Sequence, residues 1–186
     1  MNNEEDYNKN THVQIRVLSA HRLPRDPNTY LRFPEVAIED YNVNKKEILD
    51  TVMIHIHGGG FIAMNSFSHQ IYTRVWANDI ANSVIFMIDY RLAPASRYPS
   101  QIEDVWEAYT WIIDHCYQTM GIHPKKVIVT GDSAGGNLSI ALTLMAIQRG
   151  YRVPDALVPC YPSTISSKEY FWPSMLSSLD DPILSS

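Results

Sequence analysis

The sequence predicts an α/β fold, a mostly parallel sheet with helices on both faces. Short apolar runs recur along the chain: Val52-Met53-Ile54-His55-Ile56, Val84-Ile85-Phe86-Met87-Ile88, Val127-Ile128-Val129 and Ala156-Leu157-Val158. They are near-continuous rather than alternating, the mark of strands covered on both sides. Helical periodicity fills each gap between them, so the order is strand-helix-strand-helix-strand-helix-strand.

The chain has 186 residues, one domain in size, with 45% apolar residues and a net charge of −5. That is enough to bury a core, and the acidic balance argues against a nucleic-acid partner. No run of 18 or more apolar residues suggests a membrane span. Residues 1–10 are polar and acidic, expected to be disordered, and lack the basic and apolar regions of a secretion signal. Residues 11–186 are read as the folded domain. Cys116 and Cys160 are read as free thiols, which points to the cytoplasm.

In chain order, Val13 to Val17 alternates apolar and polar, as a half-buried strand does. From Ser19 to Lys46, Pro24, Pro27 and Pro34 break regular structure, leaving loops and one short strand near Val36. Tyr72, Val75, Trp76 and Ile80 mark one face of a helix over 68–82. Ser100-Gln101-Ile102-Glu103 reads as a capping box opening the next helix, with Ile102, Val105, Tyr109, Ile112 and Cys116 as its buried stripe. Leu138, Leu142 and Met145 continue one side of the last helix, and Gly150 suits its stop. After Cys160 the text turns polar and loop-like.

The chemistry centres on Gly131-Asp132-Ser133-Ala134-Gly135-Gly136, set after a strand and before a helix. G-x-S-x-G in that context is a nucleophile elbow, a tight turn that lifts a serine clear of the sheet. The following helix N-terminus favours developing negative charge near Ser133. His57-Gly58-Gly59-Gly60-Phe61 lies about 75 residues earlier. Acyl transfer needs fixed N–H donors around an oxyanion, and this glycine turn together with the Ala134 N–H supplies them. His57, at the root of that turn, is read as fixing loop shape rather than acting as base, because a base before the nucleophile is the wrong order for this motif. His55 is read as a strand residue, and His69, His115 and His123 as helix or loop surface. Asp132 is left open between steadying the turn and being solvated. No Cys/His spacing suggests a metal.

These residues resemble the hormone-sensitive lipase family of α/β-hydrolases. His57 to Phe61, Asp89-Tyr90-Arg91-Leu92-Ala93-Pro94 and Gly131 to Asn137 carry the likeness. Ser68-His69-Gln70-Ile71-Tyr72, Arg152-Val153-Pro154-Asp155, Tyr161-Pro162 and Leu179 to Leu184 are similar to its animal branch. The family commonly has Glu where this chain has Ala95. The resemblance implies an α/β-hydrolase fold with Ser133 as nucleophile and the N–H groups of Gly59, Gly60 and Ala134 as oxyanion hole, Gly58 shaping the turn. It implies carboxylic esters, including acylglycerols or other lipid esters, as substrates, with no metal or organic cofactor and with contact to a lipid surface.

The family's acid and histidine follow further strands, whereas no histidine follows His123 here and only Asp155, Asp180 and Asp181 follow Ser133. The expectation is therefore a truncated chain that lacks the C-terminal part of the sheet, leaves 156–158 as an uncovered apolar edge, and is nearly inactive alone. Losing the histidine of a Ser-His-Asp triad costs on the order of 10⁶ in kcat, while the oxyanion hole and binding retain roughly 10³–10⁴ over water. The alternative is a catalytically silent ligand-binding module of the same fold, as in plant gibberellin receptors, which resemble this family.

Overall fold

The computed structural model describes residues 13–21, 23 and 49–164. Its elements are β1 (Gln14–Leu18), β2 (Thr51–Ile56), a 3-10 turn (Ser66–His69), α1 (Gln70–Asp79), β3 (Ser83–Asp89), α2 (Ser100–Met120), β4 (Lys126–Asp132), α3 (Ala134–Gln148) and β5 (Ala156–Cys160). They form one sheet in the order β1-β3-β2-β4-β5. β1 runs antiparallel to β3, and the remaining pairs are parallel. The expected disordered segment 1–10, the short strand near Val36, and Asp180 and Asp181 lie outside the described residues.

The apolar runs are two interleaved sets, because successive side chains in a strand point to opposite faces. Val52, Ile54 and Ile56 of β2, with Val84, Phe86 and Ile88 of β3 and Val127 and Val129 of β4, join one large buried cluster. α2 and α3 close it with the expected stripe from Ile102 to Cys116 and with Leu138 and Leu142. The residues between them, Met53, Ile85 and Met87, face a smaller cluster with Ala77 and Trp76 of α1 and Ile80 just after it. Helices thus cover both faces.

The chain leaves β2 through α1 toward β3, then crosses to β4 and continues through α3 to β5 on the other side. The two directions part between β2 and β4. In open α/β sheets, ligand sites form at such a switch point, beyond the carboxyl ends of the strands. Ile56, the last residue of β2, pairs with Gly131 of β4, so the segments that follow these strands emerge side by side.

Three local expectations are corrected. The helix expected over 68–82 begins as a 3-10 turn, turns α-helical at Gln70 and ends at Asp79. Val75 is not on its buried face but 51% exposed. The small residues Thr73 and Ala77 face the sheet instead, close enough for the Thr73 hydroxyl to lie 3.5 Å from Met87 Sδ. The capping box is also not formed: Pro99 is the N-cap of α2, and Ser100 is already helical. Gly150 does follow α3 with φ +61°. Among the described residues β5 pairs only with β4, leaving Val158 49% exposed on the sheet edge. Pro159 in β5 lacks an N–H, which an edge strand tolerates.

Candidate active site

Ser133 joins β4 to α3 at φ 53° and ψ −114°, outside the regions an L-residue prefers. Strain of that kind persists only when its surroundings enforce it. Here the Ser133 N–H donates to Cys160 O (3.0 Å), and the Asn137 and Ser163 N–H groups donate to Ser133 O (3.0 and 3.2 Å). The flanking glycines are dictated by contact. A Cβ on Gly131 would lie 2.5 Å from Gly135 O and 2.6 Å from Ile56 O, and one on Gly135 would run into Ile56 O. The elbow is therefore pressed against the end of β2, where the glycine turn starts.

That turn runs through positive φ at Gly59 (110°), Gly60 (63°) and Phe61 (67°). It is closed by N–H donation from Ile62 and Ala63 to Gly59 O, and pinned to the segment after β3 by Ala93 N–H to Phe61 O. Gly58 packs on Asp132, whose carbonyl oxygen would be 2.9 Å from a Cβ there. Among the described residues the N–H groups of Gly59, Gly60 and Ala134 donate to no acceptor, whereas the Gly58 N–H donates to His69 Nε2 at 3.3 Å. Ser133 as a residue is half-buried. The structure thus brings the glycine turn and the elbow to one place. It leaves the N–H groups of Gly59, Gly60 and Ala134 without an acceptor among the described residues, while the Gly58 N–H is taken by His69.

His57 is buried and stacked on Tyr90, ring centroids 4.1 Å apart, with Nδ1 2.7 Å from Gly58 O. The Tyr90 hydroxyl donates to His57 O at 2.9 Å. Burial pushes the His57 pKa down, so the ring is neutral and fastens the turn, as the sequence reading held. His123 is exposed and His115 half-buried on α2, with Nδ1 3.1 Å from Trp111 O.

His69 was expected on the surface and is instead 5% exposed. It meets Asp132, the residue before Ser133, with Nε2 3.2 Å from Oδ1 and 3.3 Å from Oδ2. The Tyr72 and Tyr161 hydroxyls donate to the same carboxylate, each at 3.2 Å. The single Tyr72 proton is spent on Asp132, so the hydroxyl accepts from His55 Nε2 at 2.9 Å, leaving His55 Nδ1 buried without a partner among the described residues. Burial, with His69 nearby, lowers His55 to about 3. Burial pushes Asp132 up, but the hydrogen bonds and charges of His69, His55 and Tyr72 outweigh it and hold the carboxyl at about 2. The hydrogen bond to Asp132 raises His69 against the effect of burial. Asp132 is thus an ionised hub beneath the elbow. The sequence did carry a signal for it: His69 and Tyr72 lie three apart on one helical face, opposite a histidine inside an apolar strand.

Among the described residues no group of three or more His, Cys, Asp or Glu side chains is arranged to hold a metal. No helix of the described residues is long and apolar enough to cross a membrane.

Residues 53–185 match the family described by its alpha/beta hydrolase fold. The chain is 43% identical to mouse hormone-sensitive lipase over 133 residues, 72% of this chain and 17% of that protein. It is 35% identical over 133 residues to an esterase, LipI, of Mycobacterium tuberculosis, covering 72% of this chain and 40% of that protein. A solved esterase of Pyrobaculum calidifontis superposes with a TM-score of 0.63 at 29% identity, over 81% of this chain and 40% of that one. The chain therefore spans well under half the length of these relatives.

Proposed function

This chain belongs to the α/β-hydrolase fold family, in its hormone-sensitive lipase group, and from that premise we propose that it carries the nucleophile and oxyanion half of a serine carboxylic-ester hydrolase. The observation that carries the proposal is the strained Ser133 beside the open N–H groups of Gly59, Gly60 and Ala134. Ser133 Oγ attacks the ester carbonyl carbon and gives up its proton to a base. The carbonyl oxygen takes the negative charge, faces the three donors and lies at the N-terminal end of α3. The adduct expels the alcohol, which takes up a proton, and leaves an acyl-serine. Water then attacks that ester, releasing the acid and restoring the hydroxyl. Each oxyanion donor is worth about 10²–10³ in rate.

None of the described imidazoles bonds to Ser133: His55, His57 and His69 are committed to Tyr72, Gly58 and Asp132. The proposed base is therefore not among them, and the chain alone reacts slowly. Acylglycerols or other lipid esters are the proposed substrates. Exposed Ile62, Met64, Phe67 and Ile71, just beyond the glycine turn, give a lipid surface something apolar to meet. Free Cys116 and Cys160 suit a reducing, cytoplasmic setting.

A fluorophosphonate probe and a short-chain p-nitrophenyl ester test this. Slow labelling that Ser133→Ala abolishes and added imidazole speeds, with near-background turnover, is the expected result. Turnover at ordinary enzymatic rates would refute the missing base. Complete absence of labelling would refute the nucleophile, and ligand binding without it would leave a silent binding module.

A further inference from the structure

The partners of His69 make demands that one protonation state cannot meet. Nδ1 lies 3.1 Å from Asn65 O, a pure acceptor, so Nδ1 carries a proton. Nε2 faces the Gly58 N–H, a donor at 3.3 Å, and the Asp132 carboxylate, an acceptor at 3.2 and 3.3 Å. A ring nitrogen accepts only when bare and donates only when protonated. We propose that His69 is a positioning residue whose ionisation decides which half of the site it holds, the glycine turn through Gly58 when neutral or the elbow through Asp132 when charged.

The neutral ring, protonated at Nδ1, takes the Gly58 N–H and fixes the turn at the residue before Gly59 and Gly60. The imidazolium donates to Asp132 in a charge-assisted bond and leaves the Gly58 N–H without an acceptor. The exchange is the gain or loss of one proton at Nε2, with no other bond made or broken. The two states thus trade order in the glycine turn against order in the residue next to Ser133. The consequence for oxyanion donors rests on the hydrolase reading; the exchange itself does not.

The groups facing His69 come from every side. Asp132 and His55 lie on neighbouring strands, His57 at the start of the turn, Tyr72 one turn along α1, and Tyr161 beyond β5 against the same carboxylate. Asp89, at the end of β3, is occupied by the Ser66 N–H and hydroxyl, and Arg16 of β1 donates to that hydroxyl. Burial lowers the pKa of both His55 and His57. The hydrogen bond to Asp132 raises the His69 pKa above its ordinary value, against the effect of burial.

Nuclear magnetic resonance on the ¹⁵N-labelled chain between pH 5 and 9 tests this. The His69 ring should show a bare Nε2 in its neutral form, and the Gly58 amide should shift with the same midpoint. Asp132→Asn should lower that midpoint by about one unit, a tenfold change in proton affinity. His69→Gln should leave the Gly58 amide flat across the range. A protonated Nε2 in the neutral ring, a Gly58 amide indifferent to the His69 titration, or one that still titrates in His69→Gln overturns the proposal. If that variant does not fold, the parent and Asp132→Asn titrations decide alone. Fluorophosphonate labelling of Ser133 runs in parallel. Coupled titration without labelling sinks only the hydrolase reading, and labelling without coupling sinks only the switch.

Discussion

The two faces of the sheet are written by the same strands and serve opposite ends. Under α2 and α3, Val52, Ile54, Ile56, Phe86 and Val129 are buried in one large apolar cluster. Under α1, the alternate residues begin the same way with Met53 and Ile85, then give way toward the carboxyl ends to His55, Asp89 and Asp132. An apolar contact is non-directional, so the first face tolerates exchange by size. A buried polar group without its partner costs the full desolvation penalty, so the polar side chains of the second face are tied to specific atoms through His55 Nε2, Asp89 and Asp132. The site is built where the second face meets the strand ends, and the first face holds those ends still.

The seam between the faces is the sharpest place to break this comparison. Gly135 belongs to α3, yet a Cβ there would collide with Ile56 O and lie 2.6 Å from His57 O, both backbone atoms of the opposing strand and turn. Neither atom yields without moving β2. Gly135→Ala should cost more than about 3 kcal/mol in urea unfolding, at the upper end of overpacking penalties. A cost below about 1 kcal/mol would mean that the elbow is not pressed on β2.

Leu142→Ala probes the apolar face alone. The side chain is fully buried between α3 and the sheet, far along the helix from Ser133. Truncating it should cost about 3 kcal/mol, with fluorophosphonate labelling per folded molecule unchanged. Labelling that fell with stability would show the two faces to be coupled more tightly than their packing implies.

The polar face should instead give stability its pH dependence. His55 is lowered from its ordinary value to about 3, so between pH 6.5 and 3 the unfolded chain takes up a proton that the folded chain refuses. Stability falls with pH across that window. Asp132, lowered to about 2, extends the fall between the ordinary carboxylate range and its own titration. His69 acts in the other direction. Its pKa is raised, so its contribution is complete below pH 6.5 and is lost as pH rises through the folded value. The urea midpoint against pH should form a dome near neutrality. His55→Asn should flatten the acid limb, whereas Leu142→Ala should lower the whole curve without changing its shape.

The apolar face was legible because burial on both sides writes itself as unbroken runs, and the stripe from Ile102 to Cys116 repeats at helical spacing. The elbow and the glycine turn were legible because backbone crowding at Gly131 and Gly135 excludes other residues, which leaves a pattern in the text. The hub was not. Asp132, His69, Tyr72 and His55 come from a strand end, a 3-10 turn, a helix and a second strand, and pairing β2 with β4 is what gathers them. Tyr72 was read only as part of an apolar face, since its ring does pack there, 4.7 Å from Trp76 between centroids, while its hydroxyl reaches Asp132. Val75 was placed inside by periodicity alone. Where Thr73 and Ala77 lie on the adjoining stripe, the closer approach of the small residues decides which side turns inward.

The smallest expected effect lies away from both faces, at the start of α2. Ser100-Gln101-Ile102-Glu103 has the spacing of a capping box, and a working cap residue loses about 1 kcal/mol on replacement by alanine. Here the Pro99 carbonyl accepts from the Ile102 and Glu103 N–H groups at 3.0 and 3.1 Å, and the Ser100 N–H donates to Arg97 O at 3.0 Å. With Pro99 as N-cap, no side chain caps the helix, and the Ser100 hydroxyl satisfies no backbone donor. Glu103 stays in the first turn, where its charge is favourable with or without a serine at 100. Ser100→Ala should therefore change the unfolding free energy in urea by less than about 0.5 kcal/mol, and alanine's higher helix propensity pulls the change toward stabilisation. A loss of a full kcal/mol would restore the box and move the true start of α2 by one residue.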